Sequence, residues 1–182
     1  MFIWVGADVD SQLGEIKELT KKVEDEIGFA HSNFTLPLHI SFKISFRVDN
    51  KISGEVIDFL LELYKAFKPF YAGVKGIEYL GNIAWIRMSE SEELNSISEK
   101  LNKALFEKYS VGIHPYDCDY QFHTTLFMDD DAERVGAAYE AVKYAPLPEK
   151  LLINKLVVGT SETGELGSYK VIKSIELKDK LI

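Results

Sequence analysis

The stretch from Leu38 to Val48, LHISFKISFRV, alternates strictly between apolar and polar side chains. Every even-numbered position in it is apolar, and every odd-numbered position is polar or charged. A period of two is typical of a β-strand with one face in a core and the other exposed. The pattern therefore predicts a strand over residues 38–48 whose polar face carries His39, Ser41, Lys43, Ser45 and Arg47.

A second stretch repeats part of this strand. The same four-residue pattern occurs twice: a histidine, any residue, a hydroxyl residue and an apolar residue. Its two copies are His39-Ile40-Ser41-Phe42 and His123-Thr124-Thr125-Leu126. Residues two apart on a strand share a face, so His39 is expected beside Ser41 and His123 beside Thr125. The offset between the histidines is 123 − 39 = 84 residues.

The surroundings of the two histidines repeat as well. Hydrophobic periodicity, turn residues and capping residues predict helix, histidine strand, helix and hairpin in each half of the chain. The predicted segments are a helix from Asp10 or Ser11 to Gly28, the strand 38–48, a helix from Ser53, a hairpin over 70–88, a helix after the capping box 89–92, a strand 119–129, a helix from Asp130, and a hairpin over 151–177.

This repetition predicts an α+β fold for residues 1–182, as a single bilobal domain with halves of roughly 1–88 and 89–182. Each lobe is expected to be an antiparallel sheet with helices on its outer face. A pseudo-twofold relation between the lobes would bring the two histidine tetrads together across a central cleft.

The amino-acid composition limits the kinds of molecule that the protein is expected to bind. A net charge of −8 and a pI near 5.1 argue against a surface for duplex nucleic acid, which uses clustered Lys and Arg. The single cysteine, Cys118, cannot form an internal disulfide, and no apolar run approaches the roughly 20 residues of a membrane helix. We therefore expect a cytoplasmic protein without a membrane partner, and a monomer, because nothing in the sequence indicates an oligomer.

Two imidazoles and two hydroxyls that face each other suit a phosphodiester substrate. Imidazole titrates near neutrality, so one ring can act as base while the other, protonated, acts as acid. The hydroxyls can hydrogen-bond non-bridging phosphate oxygens, and the arrangement requires no metal. A lone histidine on a polar strand face is usually only solvated, so the repetition of the tetrad is what favours a functional role.

These tetrads resemble the signature of the two-histidine (2H) phosphoesterase superfamily, particularly its 2'-5' RNA ligase-like and cyclic phosphodiesterase members. The resemblance extends to the hairpins, through Phe70 to Val74, Gly76, Ile77, Leu80, Ile83, Ala84 and Trp85 in the first and Leu156, Val157, Val158, Ser161, Gly167 and Tyr169 in the second.

The resemblance implies hydrolysis or transfer at 2',3'-cyclic phosphates or 2'-5' linkages of a small nucleotide or RNA end, without a cofactor. It implies that His39 and His123 are the acid/base pair, and that Ser41 and Thr125 bind phosphate.

Three further residues are candidates for substrate binding: Lys43, Arg47 and Tyr116. Lys43 and Arg47 share the predicted face of His39, and Tyr116 could stack on a base. The alternation places Tyr120 and Phe122 opposite His123, which favours the core for both. Two other functions stay open: a nucleotide or RNA-end binding module without turnover, and a metal-dependent hydrolase, for which a third and fourth ligand are not evident.

Overall fold

The computed structural model describes residues 1–29, 36–117 and 120–178. Within those ranges it contains eight β-strands and four α-helices. The strands are β1 (Phe2–Asp8), β2 (His39–Arg47), β3 (Phe70–Tyr79), β4 (Ile83–Met88), β5 (His123–Met128), β6 (Lys150–Ile153), β7 (Lys155–Ser161) and β8 (Lys170–Glu176). The helices are α1 (Gly14–Ile27), α2 (Ser53–Tyr64), α3 (Glu92–Tyr109) and α4 (Ala132–Val142). Cys118 lies outside the described residues.

The strands form two antiparallel sheets of four strands each. The first sheet has the order β2-β1-β7-β8, and the second has the order β5-β4-β3-β6. Helices α2 and α3 pack on the first sheet, while α1 and α4 pack on the second and on each other. The predicted α+β architecture of two lobes, each an antiparallel sheet with its own helices, is confirmed.

The lobes exchange strands between the two halves of the sequence. The hairpin β3–β4 follows His39 in the chain but pairs with β5, the strand of His123. The strands β7 and β8 follow His123 but join β1 and β2. The strand predicted from Leu151 splits at Asn154, because β6 pairs with β3 in the other sheet. Periodicity along a sequence identifies strands but does not identify their partners.

Strand β2 departs from the strict alternation of its sequence. Ile3 on β1 pairs with Phe46, Val5 pairs with Lys43, and Gly6 pairs with Ser41, so β2 carries extra residues at two register shifts. Each such bulge turns the following side chains to the opposite face. As a result Lys43 is buried and Ile44 is only partly buried, the reverse of what the alternation predicts.

The two histidine strands lie at the edges of their sheets and contact each other. β2 is the outer strand of the first sheet, β5 is the outer strand of the second, and they pack side by side. Both tetrads therefore come to the junction between the lobes. None of the described helices is long and apolar enough to cross a membrane.

Candidate active site

The two histidine rings are held in the same way. Nδ1 of His39 lies 2.8 Å from the carbonyl oxygen of Pro37, and Nδ1 of His123 lies 2.6 Å from that of Gln121. A carbonyl oxygen can only accept a hydrogen bond, so each Nδ1 carries the hydrogen and donates it. In its neutral form each ring therefore presents an unprotonated Nε2, the atom that can take up or return a proton.

Each histidine also packs against a tryptophan. The ring centroids of Trp4 and His39 are 4.2 Å apart, and those of Trp85 and His123 are 4.1 Å apart. Trp4 lies on β1 beside β2, and Trp85 lies on β4 beside β5, so the two pairs occupy equivalent positions in the lobes. The indole of Trp4 in addition donates a hydrogen bond of 2.8 Å from Nε1 to Oγ of Ser41.

Two glycines leave room for the Trp4 indole against the first sheet. A Cβ at Gly6 would come within 2.9 Å of the ring, and a Cβ at Gly159, on the neighbouring strand, would come within 2.7 Å. Both distances are shorter than van der Waals contact. Because Gly6 and Gly159 have no side chain, the indole can pack against the sheet and contact both His39 and Ser41.

The junction between the lobes contains a cavity of about 270 Å³. Ser41 and His39 line it from the first lobe, and Thr125 lines it from the second. Tyr120 lines it as well, and its ring centroid is 5.8 Å from that of His123. The other lining residues are Trp4, Leu36, Pro37, Leu38, Lys43, Ile44, Ser45, Met128, Leu166, Gly167 and Tyr169.

Burial keeps both imidazoles neutral in the ligand-free protein. Desolvation lowers the pKa of His39 to about 4; the hydrogen bond to the Pro37 carbonyl offsets part of this effect, the His123 ring lowers the pKa slightly further, and Asp8 raises it slightly. Desolvation, with a contribution from the Arg87 guanidinium, also lowers the pKa of His123. Low-dielectric surroundings disfavour a positive charge that has no partner.

The ammonium group of Lys43 is enclosed in a buried polar cluster. It lies 2.7 Å from Oδ2 of Asp117, 2.6 Å from Oδ1 of Asn102 and 3.2 Å from the carbonyl oxygen of Gly112. The side chains of Lys43 and Asp117 are 1% and 0% exposed. Asp117 also accepts hydrogen bonds from the backbone N–H groups of Ile44 and His114. The cluster therefore ties β2 to α3 and to the loop after α3.

A comparison with protein-family models gives one match for this chain. Residues 8–165 match the model described as the 2'-5' RNA ligase superfamily. The match covers well over half of the sequence and includes both tetrads. The chain belongs to the 2'-5' RNA ligase superfamily. The resemblance found in the tetrads and hairpins is confirmed, and membership supports a phosphoesterase or RNA-ligase-like activity.

Solved structures show the same fold at low sequence identity. TT0787 of Thermus thermophilus has a TM-score of 0.65 and 15% identity, over 99% of this chain and 100% of its own. LigT of Escherichia coli, in its apo form, has a TM-score of 0.58 and 14% identity over 97% of each chain. A protein described as a phosphoesterase has a TM-score of 0.56 and 14% identity, over 98% of this chain and 99% of its own. Curated proteins give no match.

Of the other three candidate residues, the structure places Arg47 and Tyr116 away from the cavity and Lys43 in its wall. Arg47 lies eight residues beyond His39 on β2, which is roughly 25 Å in an extended strand. Its guanidinium lies 6.0 Å from the ring of Phe2. Tyr116 is 72% exposed, packs near His114 and does not line the cavity. Lys43 lines the cavity, but its ammonium is engaged by Asp117 and Asn102.

Sequence reasoning missed two groups of the site. The tryptophans precede the histidines by 39 − 4 = 35 and 123 − 85 = 38 residues, a repeat that could have been found beside the tetrads. Tyr120 was expected in the core, opposite His123; it packs against the core, partly buried, but it also lines the cavity. Strand β5 begins only at His123, so the alternation does not extend back to Tyr120, whose ring lines the cavity. Phe122, in contrast, is buried as expected.

The lowered pKa of His39 predicts a pH-dependent loss of stability. Its pKa is about 4 in the folded chain and about 6.5 when unfolded, so the unfolded state binds more protons between these values. Stability is therefore present above pH 6.5 and is lost as the pH falls towards 4. Between pH 7 and pH 5 this one group is expected to lower the free energy of unfolding by about 2 kcal/mol.

Urea unfolding of the wild type and His39→Asn at both pH values measures this difference. The variant has no group titrating at position 39, so its stability is expected to fall by about 2 kcal/mol less than that of the wild type. The NMR titration of the His39 ring gives a direct check. A ring that titrates near pH 6.5 would contradict the prediction.

Proposed function

We propose that this protein is a metal-independent phosphodiesterase. Its substrates would be 2',3'-cyclic phosphates or 2'-5' linkages at nucleotide or RNA ends. His39 and His123 would act as the acid/base pair, and Ser41 and Thr125 would bind the phosphate.

The observation that carries the proposal is the matched anchoring of the two rings. His39 and His123 donate Nδ1–H to a carbonyl two residues earlier in the chain, so both leave Nε2 for the substrate. Both rings lie on the facing edge strands of the two lobes, and a structural histidine needs no such arrangement. The hydroxyl residues beside them, Ser41 and Thr125, line one cavity.

The proposed reaction needs one proton to be taken and one to be given. Nε2 of one histidine removes a proton from water, and the water oxygen forms a bond to phosphorus. The bond from phosphorus to a ribose oxygen breaks, and Nε2–H of the other histidine protonates that oxygen as it leaves. The product is a phosphomonoester with a free ribose hydroxyl, and exchange with solvent restores both rings.

A neutral pair becomes an acid/base pair when the substrate binds. His39 lines the cavity, and His123 lies beside the cavity-lining Tyr120; burial lowers the pKa of both rings, and the phosphodiester would bring a negative charge close to them. An anion close to an imidazole favours the imidazolium and raises its pKa. The ring nearest the leaving oxygen is therefore expected to be protonated in the complex, and the bound substrate supplies the charge that makes this favourable.

A ligand bound to a protein with the same fold supports the proposed substrate class. LigT of Escherichia coli has been crystallised with 3'-AMP. That molecule is a ribonucleotide monoester, the type of product that hydrolysis of a 2',3'-cyclic phosphate releases. A cavity of about 270 Å³ is slightly smaller than the roughly 300 to 1,000 Å³ usual for small-molecule sites, which suits the phosphate end of a nucleotide more than an extended chain.

Turnover of nucleoside 2',3'-cyclic phosphates and of a 2'-5' linked dinucleotide, in excess EDTA, tests the proposal. We expect release of the phosphomonoester with a bell-shaped dependence of kcat on pH between about 5 and 9. Activity that EDTA abolishes and a divalent cation restores would identify a metal-dependent hydrolase instead. Nucleotide affinity without turnover of either substrate would identify a binding module.

A further inference from the structure

Tyr169 lines the cavity from the β7–β8 hairpin of the first lobe. It lies just before β8, next to a turn in which Gly167 has φ +79°. Three residues of this segment, Leu166, Gly167 and Tyr169, line the same cavity as Thr125. The segment therefore forms one wall of the proposed substrate site, although none of its residues belongs to a tetrad.

The hydroxyl of Tyr169 is enclosed and has no hydrogen-bond partner among the described residues. An enclosed phenolic hydroxyl normally finds a partner, and one that lacks it loses the hydrogen bonds it would make in water. The described part of the chain has two other such groups, the indole Nε1 of Trp85 and the hydroxyl of Thr124. Of these three residues, Tyr169 is the one that lines the cavity.

Neighbouring groups in the cavity do not supply the missing acceptor. Oγ of Ser41 already accepts a hydrogen bond from the indole of Trp4. The hydroxyl of Thr125, from the other lobe, lines the same cavity, so two hydroxyls of the two lobes face one space. A ligand that offers several acceptor oxygens and no donors would satisfy both.

We propose that Tyr169 is a substrate-binding residue whose O–H donates a hydrogen bond to a non-bridging phosphoryl oxygen of the ligand. The inference rests on the proposed function for the identity of the ligand. Phosphoryl oxygens of a phosphodiester or a phosphomonoester accept hydrogen bonds and donate none when ionised. Tyr169, on the β7–β8 hairpin, then supplies a neutral hydrogen-bond donor in addition to the hydroxyls of Ser41 and Thr125.

Tyr169→Phe tests this role because it removes the hydroxyl and keeps the ring. In the ligand-free protein the hydroxyl has no partner to lose, so the melting temperature of the variant is expected to equal or exceed that of the wild type. Tyr64→Phe is the matched control, because the enclosed Tyr64 hydroxyl does have a partner, the carbonyl oxygen of Val157 at 3.4 Å. The control is expected to melt at a lower temperature and to bind ligand with unchanged affinity.

Isothermal titration with inorganic phosphate and with a nucleoside 3'-monophosphate measures the binding effect. We expect Tyr169→Phe to weaken both by about ten- to a hundred-fold, the loss of one hydrogen bond to a charged acceptor. Unchanged affinity, which a water molecule at the hydroxyl would produce, overturns the proposal. So does a fall in melting temperature like that of the control, and so does a wild type that binds neither probe.

The two proposals fail separately. If the wild type turns over neither substrate and Tyr169→Phe still weakens phosphate binding, the enzymatic function fails and the role of Tyr169 stands. If the wild type is active and the variant binds as tightly as the wild type, with unchanged KM, the role of Tyr169 fails and the enzymatic function stands.

Discussion

Replacing His39 or His123 with alanine is expected to lower kcat for a 2',3'-cyclic phosphate by a factor of about 10² to 10⁴, the usual contribution of a positioned acid or base. Each ring has one Nε2 available to the substrate because Nδ1 is engaged by a backbone carbonyl. Removal of the ring therefore removes the proposed proton acceptor or donor and leaves the hydroxyls of Ser41 and Thr125, which we propose to bind phosphate, in place. Nucleotide affinity is expected to change much less than kcat.

Steady-state kinetics of both variants and of the double variant check this expectation. In the proposed mechanism the two rings act in one step, so the double variant is expected to lose little more than either single variant. His114→Ala is the control, since His114 is an exposed histidine beside Tyr116, away from the cavity. A His123→Ala variant that keeps the kcat of the wild type would remove His123 from the mechanism. Loss of activity in the control would point to a general effect on folding.

Lys43→Met is expected to lower the free energy of unfolding by about 3 to 5 kcal/mol. The variant leaves the carboxylate of Asp117, whose side chain is 0% exposed, without its cation. An unpaired buried charge has lost its hydration and has no opposite charge to compensate for it. Replacing one partner of a buried ion pair therefore destabilises a protein much more than replacing both. Total stabilities are only about 5 to 15 kcal/mol, so the effect is a large fraction of the whole.

Lys155→Met provides a matched comparison for urea unfolding. Lys155 and Asp8 form an ion pair of the same length, 2.7 Å, but their side chains are 38% and 13% exposed. Partly solvated pairs contribute about 0 to 1 kcal/mol, so this variant is expected to be nearly as stable as the wild type. Equal losses in the two variants would contradict the argument from burial. Replacing Lys43 and Asp117 together with Met and Asn is expected to recover part of the stability.

The tetrads could be identified from sequence because their signal is local and repeated. His39 and Ser41 are two residues apart on one strand, and the same spacing recurs at His123 and Thr125. A period of two persists in the sequence wherever a strand is regular, so the two histidine strands follow from pattern, and their repetition suggested that they meet. The anchoring of each ring on a carbonyl two residues earlier depends on backbone geometry, which residue types do not reveal.

The position of Lys43 could not be predicted for a related reason. Its sequence environment is that of a residue on a polar strand face, but the register shifts between β1 and β2 turn it inwards. Its partners come from elsewhere in the chain, Asn102 on α3 and Asp117 in the loop that follows. No sequence pattern in residues 38–48 indicates those contacts. Bulges and long-range ion pairs are properties of the assembled sheets.

The exchange of strands between the lobes has a consequence for how the chain folds during synthesis. β1 pairs with β7, and Phe2 is the register partner of Ser161, 161 − 2 = 159 residues later. The first sheet therefore cannot close until residue 161 has left the ribosome, and until then β1 keeps one edge unpaired. Pairings over such sequence distances make folding slow, because loop closure must precede any gain from contact. For most of translation the emerging chain presents a hydrophobic strand edge that chaperones can bind.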